Sequence, residues 1–240
     1  MIIGIAGEAN SGKDTIASMI NYIISVGITK AKYSDWLIYQ NRIGSQKQLN
    51  VIHFADNLKD CLSIIYNIPR EYFDDRKKKD KEYYLLNEQR FVDEKTFKTK
   101  YYEVTFESLG DYSLNELIYD DITDIGIKLR TLMQYFGTNI CRNLLDQDIW
   151  VKSTIDKARE LADIYKICLI PDVRYVNEAN AIRALYPNGK VIRVIRDNNN
   201  SSSNHSSEII DFNVDIIIEN NKTKMQLFYK VIEVYKSLNK

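Results

Sequence analysis

The feature that most constrains the fold is a loop bracketed by two glycines, directly after an apolar run at residues 2–6. The loop reads Gly7-Glu8-Ala9-Asn10-Ser11-Gly12-Lys13-Asp14-Thr15 and has the Gly-x-x-x-x-Gly-Lys spacing of a phosphate-binding loop. Apolar residues at helical spacing follow it, so the order is strand, loop, helix. A chance glycine-rich turn is the alternative, and these flanking elements disfavour it. The sequence therefore predicts a parallel α/β fold that binds a nucleotide polyphosphate.

The loop supplies the groups that hold phosphate. Its backbone N–H groups and the positive end of the following helix dipole converge on anionic oxygens. Gly7 and Gly12 allow a backbone path that a Cβ would obstruct, and Lys13 adds a mobile positive charge near the β- and γ-phosphates. The residues predicted to bind the nucleotide polyphosphate are Gly7, Asn10, Ser11, Gly12, Lys13, Asp14 and Thr15.

The loop departs from the usual pattern at the position that ligates Mg²⁺. Asp14 stands where Ser or Thr is usual, and Thr15 follows it. We expect Thr15 to supply the hydroxyl one position later, with Asp172 as the acidic partner that reaches the metal through water.

Composition excludes several classes of protein. The chain has 240 residues, of which 45% are hydrophobic, and a formal net charge of zero, so a non-specific nucleic-acid binder is not expected. Its three cysteines are far apart and show no metal-ligand spacing, which favours a reducing cytoplasm. No apolar stretch is long enough to cross a membrane, and a strand at residue 2 leaves no room for a signal peptide.

Apolar runs rich in Ile and Val alternate with helical patterns. The predicted strands are residues 2–6, 51–54, 166–170, 190–195 and 214–218. A helix from Asp56 stops before Pro69, and a helix that carries Leu129, Leu132, Met133 and Phe136 ends at Gly137; further helices are predicted at residues 148–162, 176–185 and 223–238. This alternation predicts a three-layer fold with a five-stranded parallel core sheet and helices on both faces, in a single domain over residues 1–240.

Two stretches interrupt the alternation. Residues 70–125 open with a charge run and contain many tyrosines, which predicts a partly helical insertion with a small hairpin near residues 101–106. Residues 196–208 form a polar stretch after a strand, where a lid-like loop can lie. Arg196 and His205 are the lid residues that we expect to contribute, Arg196 by stabilising charge on a transferring phosphoryl group.

Two further groups of polar residues are placed for phosphate chemistry. Asp172 and Arg174 follow the strand at residues 166–170, and ligands of parallel α/β folds bind beyond the carboxyl ends of the strands. A carboxylate there can hold Mg²⁺, and an arginine can grip a phosphate. Arg130, Gln134 and Thr138 fall near one helical face, which by itself is only suggestive because exposed helix faces often have that composition.

Several segments taken together carry a family resemblance. They are Gly12-Lys13-Asp14-Thr15, Phe54-Ala55-Asp56-Asn57-Leu58-Lys59-Asp60, Arg130 with Leu132-Met133-Gln134 and Gly137-Thr138, Trp150-Val151, Pro171-Asp172-Val173-Arg174, and Asn177-Glu178. In order and spacing they resemble the phage-type deoxynucleoside monophosphate kinases across nearly the full chain. One departure is Asn57, where that family often has proline, so the turn there is less rigid.

The resemblance implies transfer of the ATP γ-phosphate to a deoxynucleoside monophosphate, with Mg²⁺, for nucleotide precursor supply. It implies catalytic roles for Lys13, Arg130, Asp172 and Arg174. The residues implied at the substrate are Phe54, Leu58, Lys59, Arg130, Gln134, Gly137, Thr138, Trp150, Asp172, Arg174 and Glu178. A core position is the alternative for Trp150. The resemblance also suggests a homodimer and a virus acting in its host's cytoplasm.

Two other functions remain open at this point. One is another P-loop small-molecule kinase, such as a dephospho-coenzyme A kinase, which shares the donor half and differs in the acceptor pocket. The other is a nucleotide-binding switch without an acceptor, which has no need for cations such as Lys59 and Arg130.

Overall fold

A computed structural model describes residues 1–8, 10–43, 48–86, 88–103, 125–185, 189–197 and 212–238. The chain divides into two compact units. The first unit contains Met1–Phe54 and Val151–Lys240, and the second unit contains Ala55–Trp150. Of the hairpin predicted near residues 101–106 and the lid predicted at residues 196–208, the parts beyond residues 103 and 197, including His205, lie outside the described residues.

The elements are numbered in chain order. The strands are β1 (Ile2–Gly7), β2 (Glu82–Leu85), β3 (Arg90–Asp93), β4 (Tyr102–Glu103), β5 (Ile125–Ile127), β6 (Cys168–Val173), β7 (Gly189–Ile195) and β8 (Ile216–Glu219). The helices are α1 (Lys13–Val26), α2 (Tyr33–Ile43), α3 (Asp56–Tyr66), α4 (Arg76–Asp80), α5 (Glu94–Lys100), α6 (Leu129–Gln134), α7 (Ile149–Tyr165), α8 (Val176–Arg183) and α9 (Lys224–Leu238).

The first unit is built on a parallel sheet with the strand order β6-β1-β7-β8. Side chains of successive strand residues point to opposite faces, so β1 contributes side chains to two separate cores. Ile3 and Ile5 pack with apolar residues of α1, α2 and α9. Ile2 and Ala6 pack with apolar residues of α7 and α8 on the other face. The predicted arrangement of a parallel sheet covered by helices on both faces is therefore confirmed.

The five-stranded core sheet is not confirmed, because residues 51–54 make only an isolated parallel bridge between Val51 and Leu169. The Ile52 N–H donates to Leu169 O at 3.0 Å. The next donor along β6 would be Pro171, which has no N–H. The Phe54 N–H donates instead to the Asp172 carboxylate at 3.0 Å. The ladder stops where proline removes its donor, and four strands remain.

The second unit has a small sheet of its own, with the strand order β3-β2-β5-β4. β2 and β3 form an antiparallel hairpin, and the short strand β4 pairs in parallel with β5. Its main core contains Leu62, Phe73, Tyr84 and Leu129, which are all buried. The insertion predicted at residues 70–125 thus contains helices and strands.

The predicted helix that carries Leu129 does not end at Gly137. The α-helix α6 continues directly as a π-helix, Tyr135–Leu145, whose last turn is closed by the Asp146 N–H donating to Cys141 O at 2.9 Å. A Cβ on Gly137 would lie 2.7 Å from Leu58 Cδ2, so this glycine permits close packing instead of a chain reversal. π-helical turns are rare and occur mostly at functional sites.

All three cysteines lie in the described part of the chain and are free thiols. Cys61 is exposed, whereas Cys141 and Cys168 are buried. Burial raises the pKa of Cys168 to about 12, so this thiol stays protonated and unreactive at neutral pH.

Candidate active site

The loop between β1 and α1 requires glycine at both glycine positions of the motif. Gly12 has φ +104° and forms the left-handed turn that begins α1. A Cβ there would lie 2.6 Å from the Asn220 side chain, and a Cβ on Gly7 would lie 2.8 Å from Val194 O. The sequence expectation that side chains would obstruct this backbone path is therefore met by the geometry.

Lys13 lies in the first turn of α1 and is held by the loop itself. Its Nζ donates to Gly7 O and to Glu8 O, both at 2.7 Å. The ammonium is thereby fixed beside the carboxyl end of β1, on the side of the sheet where parallel α/β folds bind ligands.

Ser11 carries a hydroxyl that the fold leaves unsatisfied. The residue is 1% exposed, and its Oγ has no hydrogen-bond partner among the described residues. A buried hydroxyl without a partner costs about 1–3 kcal/mol. A phosphate oxygen is a suitable acceptor for this group. The orphaned hydroxyl and the glycine cradle together fit a nucleotide polyphosphate.

Asp172 and Arg174 lie beside this loop because β6 pairs with β1. The register places Val173 opposite Ala6, one residue before the loop begins. Asp172 Oδ1 accepts the Phe54 N–H at 3.0 Å. The guanidinium of Arg174 is exposed and has no partner among the side chains that the structure describes.

Glu178 contacts backbone in the structure. Its Oε2 accepts the N–H of Arg174 at 2.7 Å and the N–H of Tyr175 at 3.0 Å, and the residue is 3% exposed. The buried carboxylate therefore fixes the turn that carries Arg174 at the start of α8. Direct contact between Glu178 and a substrate stays a prediction.

The chemistry of two side chains fits a magnesium ion. Thr15 lies half-buried in the first turn of α1, and Asp172 is half-buried at the end of β6. In the described parts of the chain, no group of three or more His, Cys, Asp or Glu side chains could hold a metal. Mg²⁺ in phosphate-transfer sites needs no such cage, because one or two carboxylates, water and the phosphates themselves suffice.

Arg196 connects the end of β7 to the loop. Its Nη1 donates to Asn10 O at 3.4 Å, and Asn10 adopts a left-handed φ of 62°. Arg196 therefore lies at the loop, and its action on a phosphoryl group stays a prediction. The other predicted lid residue, His205, lies outside the described residues.

The two predicted phosphate-binding cations of the second unit, Lys59 and Arg130, are each paired with an aspartate. Lys59 Nζ lies 2.7 Å from the Asp74 carboxylate. Arg130 donates to both oxygens of Asp80, from Nε at 2.7 Å and from Nη2 at 3.0 Å. Burial by itself would raise the pKa of Asp80, and the hydrogen bond and charge of Arg130 outweigh it, so this pKa lies below its ordinary value.

Two further cations belong to this cluster, and Arg70 is the one that sequence reasoning missed. Arg70 donates to Asp56 at 2.9 Å, to Asp60 at 2.5 Å and to Asp74 at 2.6 Å. Lys79 is half-buried, and burial followed by the charge of Arg130 lowers its pKa. A charge run such as residues 74–82 is usually a solvated face, and only the packing of α4 beside α6 shows that Lys79 is half-buried.

The predicted base and sugar residues of the second unit lie along α6 and its π-helical continuation. Gln134 and Thr138 are half-buried. The Trp150 indole N–H donates to Gly137 O at 3.1 Å, and Trp150 belongs to the apolar core together with Leu58. Trp150 therefore braces the π-helix, and any contact between it and a base stays a prediction. Phe54, in the first unit, is buried.

The Asp80–Arg130 pair makes stability depend on pH. A carboxyl whose pKa is lowered by folding stabilises the protein above its unfolded pKa, and that contribution is lost as the pH falls through the folded pKa. The pair is partly exposed, so we expect the unfolding free energy of wild type to exceed that of Asp80→Asn by about 1 kcal/mol or less at neutral pH. The difference should shrink below about pH 4. Urea unfolding at several pH values measures it, and a difference that persists unchanged at pH 2.5 would contradict this account.

A lysine-bearing glycine loop between the first strand and first helix of a parallel sheet defines the P-loop class of nucleotide-binding proteins. The family model for deoxynucleotide monophosphate kinase matches residues 1–231. The chain belongs to the deoxynucleotide monophosphate kinase family.

A curated relative supports this assignment. The deoxynucleotide monophosphate kinase of Enterobacteria phage T4 is 30% identical over 142 residues, which is 55% of this chain and 58% of the phage protein. The matched segment thus covers less than two thirds of that relative. Among the described residues, no helix is long and apolar enough to cross a membrane.

Proposed function

We propose that this protein transfers the γ-phosphate of ATP to a deoxynucleoside monophosphate and releases ADP and the deoxynucleoside diphosphate. The observation that carries the proposal is a second set of cations, in which Lys59 is paired with Asp74 and Arg130 with Asp80, in addition to the glycine loop that carries Lys13. A nucleotide switch has no use for such a set. Family membership favours the same reaction over the transfer of phosphate to a coenzyme precursor.

The loop residues hold and orient the donor. Backbone N–H groups at the start of α1 and the Ser11 hydroxyl bind the phosphates of ATP, and Lys13 places its positive charge at the phosphoryl group in transfer. Thr15 and Asp172 would hold Mg²⁺, Asp172 through water, and a bound ion would supply positive charge against the phosphates of ATP. Arg196 and Arg174 offset the charge that develops as the phosphoryl group leaves ADP.

The cations of the second unit hold the acceptor. Lys59, Arg130 and the half-buried Lys79 bind the monophosphate dianion and so offset its repulsion from the donor phosphates. Asp74 and Asp80 keep the side chains of Lys59 and Arg130 in place before the phosphate arrives. Such preorganisation matters because phosphoryl transfer depends on positioning and on charge neutralisation more than on proton abstraction.

Base and sugar contacts come from α6 and its π-helical continuation. The Gln134 amide can donate to and accept from a base edge, and Thr138 lies one π-turn further along. Glu178 acts through the backbone of Arg174 and keeps that arginine at the end of β6.

Further parts of the proposal rest on the sequence pattern and on the family resemblance. They are a single kinase domain over residues 1–240 with an insertion at residues 70–125, a lid at residues 196–208 that contributes Arg196 and His205, a homodimer, and action in a host cytoplasm. Light scattering on the purified protein tests the dimer, and a mass equal to one chain would contradict it.

Acceptor-dependent ADP release tests the proposed reaction. The purified protein is given ATP and Mg²⁺ with dGMP, dTMP, dCMP, dAMP, GMP or no acceptor. We expect ADP release to depend on at least one deoxynucleotide. A rate no higher than the acceptor-free control with every monophosphate would overturn the proposal, and dephospho-coenzyme A would then be the next acceptor to add.

A further inference from the structure

Four carbonyl groups of the phosphate-binding loop are held by side-chain donors. Lys13 Nζ donates to Gly7 O and to Glu8 O, each at 2.7 Å. Arg196 Nη1 donates to Asn10 O at 3.4 Å, and Asn220 Nδ2 donates to Ser11 O at 2.8 Å. Lys13 and Arg196 have roles in the proposed reaction. Asn220 has none so far.

The orientation of a carbonyl fixes the orientation of the next N–H. In a planar trans peptide the C=O and the following N–H point in opposite directions. The Ser11 carbonyl points to Asn220, so the Gly12 N–H points to the other side of the loop. A peptide turned the other way would present its carbonyl oxygen to phosphate and repel it. One hydrogen bond thus selects between attraction and repulsion at this peptide.

Asn220 is itself held firmly. It follows β8 directly, and its backbone N–H donates to Ile195 O at 2.8 Å, which extends the pairing of β7 with β8. Its side chain lies so close to the loop that a Cβ on Gly12 would come within 2.6 Å of Nδ2. The amide therefore approaches the left-handed turn at Gly12 from a rigid strand end.

We propose that Asn220 is a positioning residue for the donor nucleotide, which turns the peptide between Ser11 and Gly12 so that the Gly12 N–H faces the phosphates. The role rests on the part of the proposed function that assigns ATP to this loop. Asn220 does not touch the nucleotide through this contact; it acts through the backbone of the loop.

Titration with a fluorescent ADP analogue tests the role without any phosphoryl transfer. We expect Asn220→Ala to weaken the binding of the ADP analogue about 5- to 10-fold, the worth of one hydrogen bond. Asn220→Asp keeps the size of the side chain and replaces the donor by a charged acceptor, so its loss should be larger. Asn221→Ala is the matched control, because the Asn221 amide pairs with Asp197.

Selectivity among ligands separates a positioning role from general damage. The KM for ATP should rise in Asn220→Ala, while the KM for the monophosphate, the affinity for adenosine and the melting temperature stay near wild type. ADP affinity within twofold of wild type, or an equal loss in Asn221→Ala, would overturn the role of Asn220. If no acceptor is phosphorylated, the proposed kinase reaction fails, yet the ADP titration still reports on Asn220.

Discussion

Lys13→Met should lower the turnover number about 100- to 1,000-fold, the cost of removing one preorganised donor from a developing negative charge. Methionine keeps much of the length of lysine and removes its charge. Turnover is measured by ADP release at saturating ATP and monophosphate. The KM for the monophosphate should change little, because Lys13 belongs to the donor loop.

A matched control separates this effect from a general loss of positive charge. Lys30→Met removes an exposed lysine of the first unit that is remote in sequence from the loop, and its turnover should equal that of wild type. Lys13 also donates to the carbonyls of Gly7 and Glu8, so the melting temperature of the Lys13 variant shows whether the loop still folds. A folded Lys13→Met enzyme with the full rate would contradict the proposed role of the loop.

Arg130→Ala should raise the KM for the monophosphate about 10- to 100-fold and leave the KM for ATP nearly unchanged. The proposed charge-assisted contact between Arg130 and the phosphate is lost. The Asp80 carboxylate, whose two oxygens both accept hydrogen bonds from Arg130, also loses its guanidinium partner and repels the incoming phosphate. The double variant Arg130→Ala with Asp80→Asn should therefore bind the monophosphate better than Arg130→Ala does. Steady-state kinetics with each substrate varied in turn measures both effects.

Arg90→Ala is the control for the second unit. Arg90 is exposed and pairs with Glu88 at 2.5 Å, so its loss removes a paired surface arginine without touching the Asp80–Arg130 pair. Both KM values should stay at the wild-type level. Equal losses of ATP and monophosphate affinity in Arg130→Ala would count against its assignment to the acceptor.

The local motif of the donor site could be predicted from the sequence, because the residues that form the loop are consecutive in the chain. The spacing from Gly7 to Lys13, with an apolar run before it and a helical pattern after it, determines the loop. The apolar strands around it are identified by their composition, and the structure confirms four of them. Residues 51–54 form only a bridge, between Val51 and Leu169, because Pro171 of the neighbouring strand has no N–H to donate. The apolar run at residues 51–54 does not reveal a missing donor on the other strand.

The acceptor side depends on contacts between residues far apart in the chain. Neither α2 nor the sheet of short strands in the second unit could be predicted, because charged and aromatic residues obscure the hydrophobic period of these elements. Lys79 and Arg70 belong to the cation cluster only through the packing of α4 and the turn before it. Asn220 lies more than two hundred residues after Ser11, so no local pattern could identify its contact with the loop.

The fate of the γ-phosphate tests the central claim most directly. The protein is incubated with Mg²⁺, ATP labelled at the γ-phosphate and the best acceptor from the monophosphate panel, and the nucleotides are separated. The account predicts label in the deoxynucleoside diphosphate, in an amount equal to the ADP formed. It also predicts that Lys13→Met transfers label about 100- to 1,000-fold more slowly than wild type. Label that appears only as inorganic phosphate, with the monophosphate unchanged, would contradict it.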